Sequence, residues 1–250
     1  MLQYQAPHDL LQAHIILVSG AGQGLGSQAA ISFAQHGATV ILVGRKQEKL
    51  EATYDSIVEK GLPEPIIFCM DFAKASELDM QALAEAIFQQ FGQLNGILHN
   101  ASHFDNLSPL TLQTGEQFQQ MLQVNLIAPF MLTKACMPLL QRAEQASVIF
   151  SSNHSARELQ PFWGAHGISK RAADDLMQVL AKELDNQPNL RFNSIVPGPV
   201  KSPQRKKTHP GEMHQSLPTA QALMPLYLYL MGKESVGVSG QIHFAQTPAN

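Results

Sequence analysis

Short β-branched runs alternate along the whole chain with segments whose apolar residues recur every three or four positions. His14–Ser19, with Ile15, Ile16, Leu17 and Val18 in a row, reads as a strand running straight into a glycine-rich turn. Leu25, Ala29, Ala30, Phe33 and Ala34 then mark one face of a helix that Gly37 ends. The alternation continues with a strand over Thr39–Val43, a helix over Lys46–Lys60, a strand over Ile66–Met70 and a helix over Leu78–Phe91. Gly96–His99 predicts a fourth strand, and the Thr-x-x-Gln box at Thr114–Gln117 opens a long helical region. Ser147–Ser151 and Leu190–Val196 read as strands flanking a helix over Ile168–Asp185, and Gln241–Ala245 adds a seventh strand. Pro225–Met231 reads as a core helix, too short to span a bilayer.

Strands separated by helices of ten or more residues imply right-handed βαβ units and a parallel sheet covered on both faces. The expected fold class is therefore α/β: a doubly wound parallel sheet of about seven strands flanked by helices, as a single domain over residues 1–250. Only residues 203–218 break the rhythm. That stretch is polar, carries Pro203, Pro210, Pro218 and Gly211, and is expected to form a substrate lid.

Composition narrows the partners. With 44% hydrophobic and 15% charged residues, the 250-residue chain has enough apolar surface for one large core. A net charge of −3 argues against nucleic acid as a partner, since phosphate binding wants a basic face. No run of about 18 uninterrupted apolar residues or basic leader is present, so no membrane segment is expected and the cytoplasm is the expected compartment. Cys69 and Cys136 lie in apolar stretches and are expected to be small buried hydrophobes in a reducing compartment. His99 and His103 straddle a strand end without acids or cysteines beside them, so no metal site is expected. Arg205-Lys206-Lys207 reads as a solvated loop face, with attraction of an acidic substrate as the alternative.

The turn Ser19–Gly26 holds the candidate chemistry. Glycines between a strand and a helix let the backbone approach a pyrophosphate closely, while the helix N-terminus presents free N–H groups to it. The residue ending the second strand separates two nucleotides. A carboxylate there would bond a ribose 2′-hydroxyl and repel a 2′-phosphate; this strand ends instead Val43-Gly44-Arg45-Lys46. Arg45 offers a planar fork to phosphate and Lys46 a point charge, which predicts NADP(H) rather than NAD(H).

Gly20, Gly24 and Gly26 fit Gly-x-x-x-Gly-x-Gly and resemble the fingerprint of the short-chain dehydrogenase/reductase family. The resemblance continues in order through Asp71, His99-Asn100-Ala101-Ser102, Asn125, Ser151-Ser152, Lys170 and Pro197-Gly198-Pro199-Val200-Lys201-Ser202, spanning almost the whole chain. It implies a Rossmann-type fold and an NADP(H)-dependent oxidoreductase acting on a small carbonyl or alcohol, assembled as a homodimer or homotetramer. It also implies residue roles. Gly20, Gly24, Leu25 and Gly26 would cradle the pyrophosphate, Asp71 the adenine, and Asn100 the adenosine ribose. Lys170 would hold the nicotinamide ribose, Pro197, Gly198 and Ser202 the carboxamide side, and Asn125 a water relay. Trp163 and Phe162 would line a pocket wall.

One departure stands at the reacting end. The family's proton-donating tyrosine, one helical turn before its lysine, corresponds here to His166 in Gly164-Ala165-His166-Gly167-Ile168-Ser169-Lys170. Tyr4, Tyr54, Tyr227 and Tyr229 all lie far away in sequence. An imidazole suits acid–base work near neutral pH, yet it is shorter than a phenol, and Lys170 on the same helical face disfavours its charged form. The carbonyl-polarising serine is expected at Ser152, at the strand end, although strict counting from His166 lands on Asn153. Because of His166, the other reading is a catalytically impaired dinucleotide-binding protein serving as a redox-sensing regulator or assembly partner.

Overall fold

The computed structural model describes residues 3–158 and 160–246. Seven parallel strands form one sheet in the order β3-β2-β1-β4-β5-β6-β7: β1 Ile15–Ser19, β2 Thr39–Gly44, β3 Ile66–Cys69, β4 Gly96–His99, β5 Ala146–Ser151, β6 Leu190–Val196 and β7 Gln241–Phe244. The winding reverses between β1 and β4, which leaves a crevice at the carboxyl ends of those strands. Helices α1 (Gly24–Gln35), α2 (Gln47–Val58) and α3 (Glu77–Phe91) follow the first three strands in turn.

The two-residue period of the strands divides the core in two. Leu17, Ile97, Val148 and Phe150 point to one face, where they meet α3, α5 (Ala128–Arg142) and α7 (Gly164–Glu183). Ile16, Val18, Leu98 and Ile149 point to the other, under α1, α2 and α9 (Ala220–Met231). Burial on both faces is why the strands read as unbroken apolar runs instead of alternating ones. The short run at Pro225–Met231 is indeed buried in the core, with Tyr227 fully enclosed.

The box at Thr114 caps α4 (Gly115–Leu122) reciprocally with Gln117. The chain passes through a π turn, Gln123–Ile127, directly into α5. This 28-residue helical stretch is long and apolar enough to cross a membrane, but half of its most apolar part is buried within the protein. It packs against α3 and α7 as a core element.

Two expectations need correction. Cys136 is buried, but Cys69 is exposed: β3 is the edge strand and Cys69 stands at its open end. Arg205-Lys206-Lys207, read as a solvated loop face, is helical instead. Pro203 starts a short helix, α8 (Pro203–Thr208), because the Ser202 hydroxyl accepts a hydrogen bond from the Arg205 N–H at 3.1 Å, and proline is tolerated in a first helical turn. Arg205 does not face solvent freely; its guanidinium forks onto Glu212 at 2.6 and 2.7 Å. A four-residue helix, α6 (His154–Arg157), follows β5.

Candidate functional site

The turn after β1 is built around left-handed glycines and one close backbone approach. Gly20 and Gly24 have φ of 67° and 61°, where side chains are strained. A Cβ on Gly26 would stand 2.3 Å from the Gly20 carbonyl oxygen and 2.5 Å from Asn100 Nδ2. Gly26→Ala should therefore cost about 1–3 kcal/mol by overpacking, lowering Tm by roughly 2–4 °C for each kcal/mol. Thermal unfolding followed by circular dichroism checks this, and an unchanged Tm would refute the tight packing. At the start of α1, neither a side-chain cap nor an acidic residue covers the first N–H groups. That end is left open to an anion.

Ser19, which the sequence reading passed over, fastens the turn to the sheet. Its hydroxyl accepts from the Asn100 and Ala101 N–H groups at 3.0 and 3.1 Å and faces the Leu98 carbonyl at 3.3 Å. The signal was a lone hydroxyl ending an apolar strand just before the glycines. Asn100 extends the link, donating to the Gly20 carbonyl at 3.5 Å and accepting from Ser151 Oγ at 3.2 Å. Thr53 on α2, also passed over, donates to the Ala21 carbonyl at 2.9 Å.

Two joined cavities run along the carboxyl ends of the strands. The first, 270 Å³, is lined by the glycine turn with Leu25, by Arg45, Lys46 and Lys49, by Asp71 and Phe72, and by Asn100 to His103. Arg45 and Lys46 are both exposed there. Lys49 bonds the Gln23 side chain. Asp71 keeps one carboxylate oxygen on the Ala73 N–H at 3.1 Å. The second cavity, 460 Å³, shares Leu25, Asn100, Ser102, Ser202 and Gln204 with the first. It adds Asn153, Trp163, His166, Lys170, Pro197 and Gly198. The Gln246 amide holds the Pro197 and Pro199 carbonyls at 2.8 and 2.7 Å, shaping that wall, and Ser202 keeps its hydroxyl on α8. A glycine turn that no side chain could fill, an uncapped helix start and cations at the end of β2 together fit a dinucleotide phosphate chain.

His166 lies on α7 and is 1% exposed. Its Nδ1 is 3.1 Å from the His103 carbonyl oxygen, and its Nε2 is 3.3 Å from Asn153 Nδ2. The Asn153 amide is oriented independently, since its oxygen accepts from the Ser155 N–H at 3.2 Å. A carbonyl only accepts and an amide nitrogen only donates, so Nδ1 carries the proton and Nε2 presents a lone pair. Burial, reinforced by the Lys170 charge, pushes the imidazole pKa down to about 3, so the ring is neutral. Phe104 and Trp163 enclose it, with ring centroids at 5.3 and 5.6 Å. One turn on, Lys170 donates to the Ser151 carbonyl at 2.9 Å, and burial pushes its pKa down to about 8.

One expected placement differs. Ser152 does not turn its hydroxyl toward His166; it donates to Asp174 of α7 at 2.6 Å. The period of β5 sends Val148, Phe150 and Ser152 to the same face, and Asn153, thirteen residues before His166, leaves the strand as the cap of α6. The amide takes the place expected for the serine. Asn125, in the π turn, has its side chain engaged within the protein. Its oxygen accepts from the His103 N–H at 2.7 Å, and its nitrogen meets the His103 carbonyl at 3.1 Å and Ser169 Oγ at 3.0 Å. It thus fixes the carbonyl that orients His166. His99 bonds Thr133 at 2.8 Å inside the core, whereas His103 sits 2.8 Å from Asp105, so the two do not converge. No group of three or more metal-ligating side chains gathers among the described residues.

Comparison with known proteins matches this architecture. The family model for short chain dehydrogenases covers residues 14–213. The oxidoreductase YciK of Escherichia coli (strain K12) is 40% identical over 98% of this chain and 96% of its own length. Among solved structures, a short chain dehydrogenase from Shigella flexneri 2a str. 301, complexed with NADP, is 39% identical with a TM-score of 0.93 over 96% of this chain and all of its own. One from Escherichia coli CFT073, complexed with NADPH, is 40% identical with the same TM-score and coverage. With the fold, the glycine turn and the Lys170-bearing helix in that order, the chain belongs to the short-chain dehydrogenase family.

Proposed function

We propose that the protein is an NADP(H)-dependent oxidoreductase that moves hydride between the nicotinamide and a small carbonyl or alcohol. The observation that carries this reading is one continuous groove, running from the glycine turn and the exposed Arg45–Lys46 pair to Lys170, His166 and Asn153. Similar proteins complexed with NADP and NADPH support the same nucleotide. Bound there, the nicotinamide supplies or accepts the hydride. Arg45 and Lys46 hold the 2′-phosphate, Asp71 and Asn100 the adenosine, and Lys170 the nicotinamide ribose.

His166 occupies the place of the family's tyrosine, and Asn153 that of its serine. The Asn153 amide donates to the substrate oxygen, and His166 Nε2 takes the hydroxyl proton when the alcohol is oxidised, returning it in the reverse direction. Residues 203–218 cover the pocket as a lid, and the protein works as a homodimer or homotetramer in the cytoplasm.

Consumption of NADPH against a panel of aldehydes, ketones and diketones tests the reading. Turnover is expected, with Asn153→Ala lowering kcat/KM by about 10²-fold through loss of the oxygen-facing donor. A second reading has its own observation: both His166 nitrogens are already engaged and the ring is boxed by aromatics. NADPH binding without turnover in either direction would favour that reading, a dinucleotide-binding protein with impaired catalysis that serves as a redox-sensing regulator or assembly partner.

A further inference from the structure

His166, Lys170 and Asp174 form a stripe one turn apart on α7. Each engages one of three consecutive residues at the end of β5. Lys170 holds the Ser151 carbonyl at 2.9 Å, Asp174 the Ser152 hydroxyl at 2.6 Å, and His166 faces the Asn153 amide at 3.3 Å. Two of these partners belong to the proposed reacting site; the third, Asp174, lies beneath it and is 1% exposed.

We propose that Asp174 is a positioning residue: its buried carboxylate anchors the strand end that presents Asn153 through the 2.6 Å bond to Ser152, and it stands one turn along α7 from Lys170 as that side chain's counter-charge. The inference rests on the reading that Lys170 holds the nicotinamide ribose. Burying a carboxylate is costly without donors. The structure surrounds this one with the Ser152 hydroxyl, Ser194 of β6, and the Arg157 guanidinium at 3.9 Å, leaving Oδ1 without a bonded partner. Burial pushes the Asp174 carboxyl up, and the Ser152 and Ser194 hydroxyls, Arg157 and Lys170 all oppose that rise and favour its charged form. The groups facing Lys170 are Asp174 and His166 on α7 and His99 on β4; those facing Asp174 are Arg157 on α6 and Lys170. A histidine carries charge only as a cation, so the carboxylate is the sole counter-charge among these groups. Burial pushes Lys170 down to about 8, and Asp174 opposes that shift.

Cyanate labelling of Lys170 in the cofactor-free protein, read by peptide mass spectrometry across pH 6–10, tests this without requiring nucleotide. Only the neutral amine reacts, so the rate traces the ammonium's titration. Asp174→Asn should move the midpoint down by about one pH unit, a shift ordinary for losing a close opposite charge. Ser152→Ala, which removes the hydrogen bond and keeps the charge, should leave it in place. A midpoint unmoved in Asp174→Asn, even with a lowered Tm, would make Asp174 merely structural and overturn the proposal. The same variants scored for NADPH affinity above pH 7 separate the two ideas. A shifted label with unshifted nucleotide binding supports the counter-charge and removes the ribose role from Lys170.

Discussion

Arg45→Asp is expected to invert the nucleotide preference, shifting the NADPH to NADH affinity ratio by about 10²-fold or more. The argument is electrostatic and local. β2 ends in Gly44, so no carboxylate stands where a free ribose hydroxyl would be read, and Arg45 and Lys46 are exposed on the wall of the first cavity. A hydrogen bond to a charged group contributes about 1.5–3 kcal/mol, or roughly 10- to 150-fold. Aspartate removes that contribution, repels a 2′-phosphate, and offers an acceptor to a 2′-hydroxyl. Lys46 remains in the variant and limits the change, so Arg45→Asp with Lys46→Ala should go further. Titrating both nucleotides by nicotinamide fluorescence measures the ratio. An unchanged ratio would mean that the two cations only solvate the start of α2, where they also oppose its dipole.

What the sequence disclosed follows from how local each feature is. The seven strands, the glycine turn and the Lys170-bearing helix are written in contiguous residues, so periodicity and glycine placement reveal them. The right-handedness of βαβ units ties the face each helix covers to the direction in which the sheet grows, but the reversal between β1 and β4 is not written in any local stretch. The identity of the oxygen-facing group was less accessible. Ser152 and Asn153 are neighbours whose partners, Asp174 and His166, share one stripe of α7; the alternation sends Ser152 to that face, while Asn153 reaches it because the chain leaves β5 to cap α6. Ser19, Thr53 and Asp174 were missed because each acts through a partner more than twenty residues away, and a single hydroxyl or carboxylate carries no pattern of its own. Likewise, burial of Cys69 was inferred from its apolar neighbours, whereas its exposure depends on β3 lying at the sheet edge.

His166 yields the last and sharpest expectation, because its charge state fixes both the direction and the pH dependence of the chemistry. With Nδ1 tied to the His103 carbonyl and the pKa near 3, Nε2 is ready to accept a proton at pH 7, but only about one ring in 10⁴ is an imidazolium ready to give one. Alcohol oxidation should therefore show no step from His166 between pH 6 and 9, with Lys170, near 8, the site group that titrates in that range, while carbonyl reduction should rise about tenfold for each unit of acidification. Stability bounds that rise. His99 and His166 are both neutral in the fold, with pKa near 3 against about 6.5 in an unfolded chain. Below pH 6.5 the unfolded chain takes up protons that the native state refuses, so stability falls as pH drops toward 3, by up to about 1.4 kcal/mol per unit for each histidine. His166→Tyr should halve that acid slope and place a phenol one turn before Lys170. Reduction should then become less dependent on pH and faster at pH 7 by about tenfold or more. His166→Ala should abolish oxidation while leaving NADPH binding intact. Reduction at pH 7 that is unaffected in His166→Ala would show that the proton comes from another group, and His166 would then be a buried spacer between His103 and Asn153.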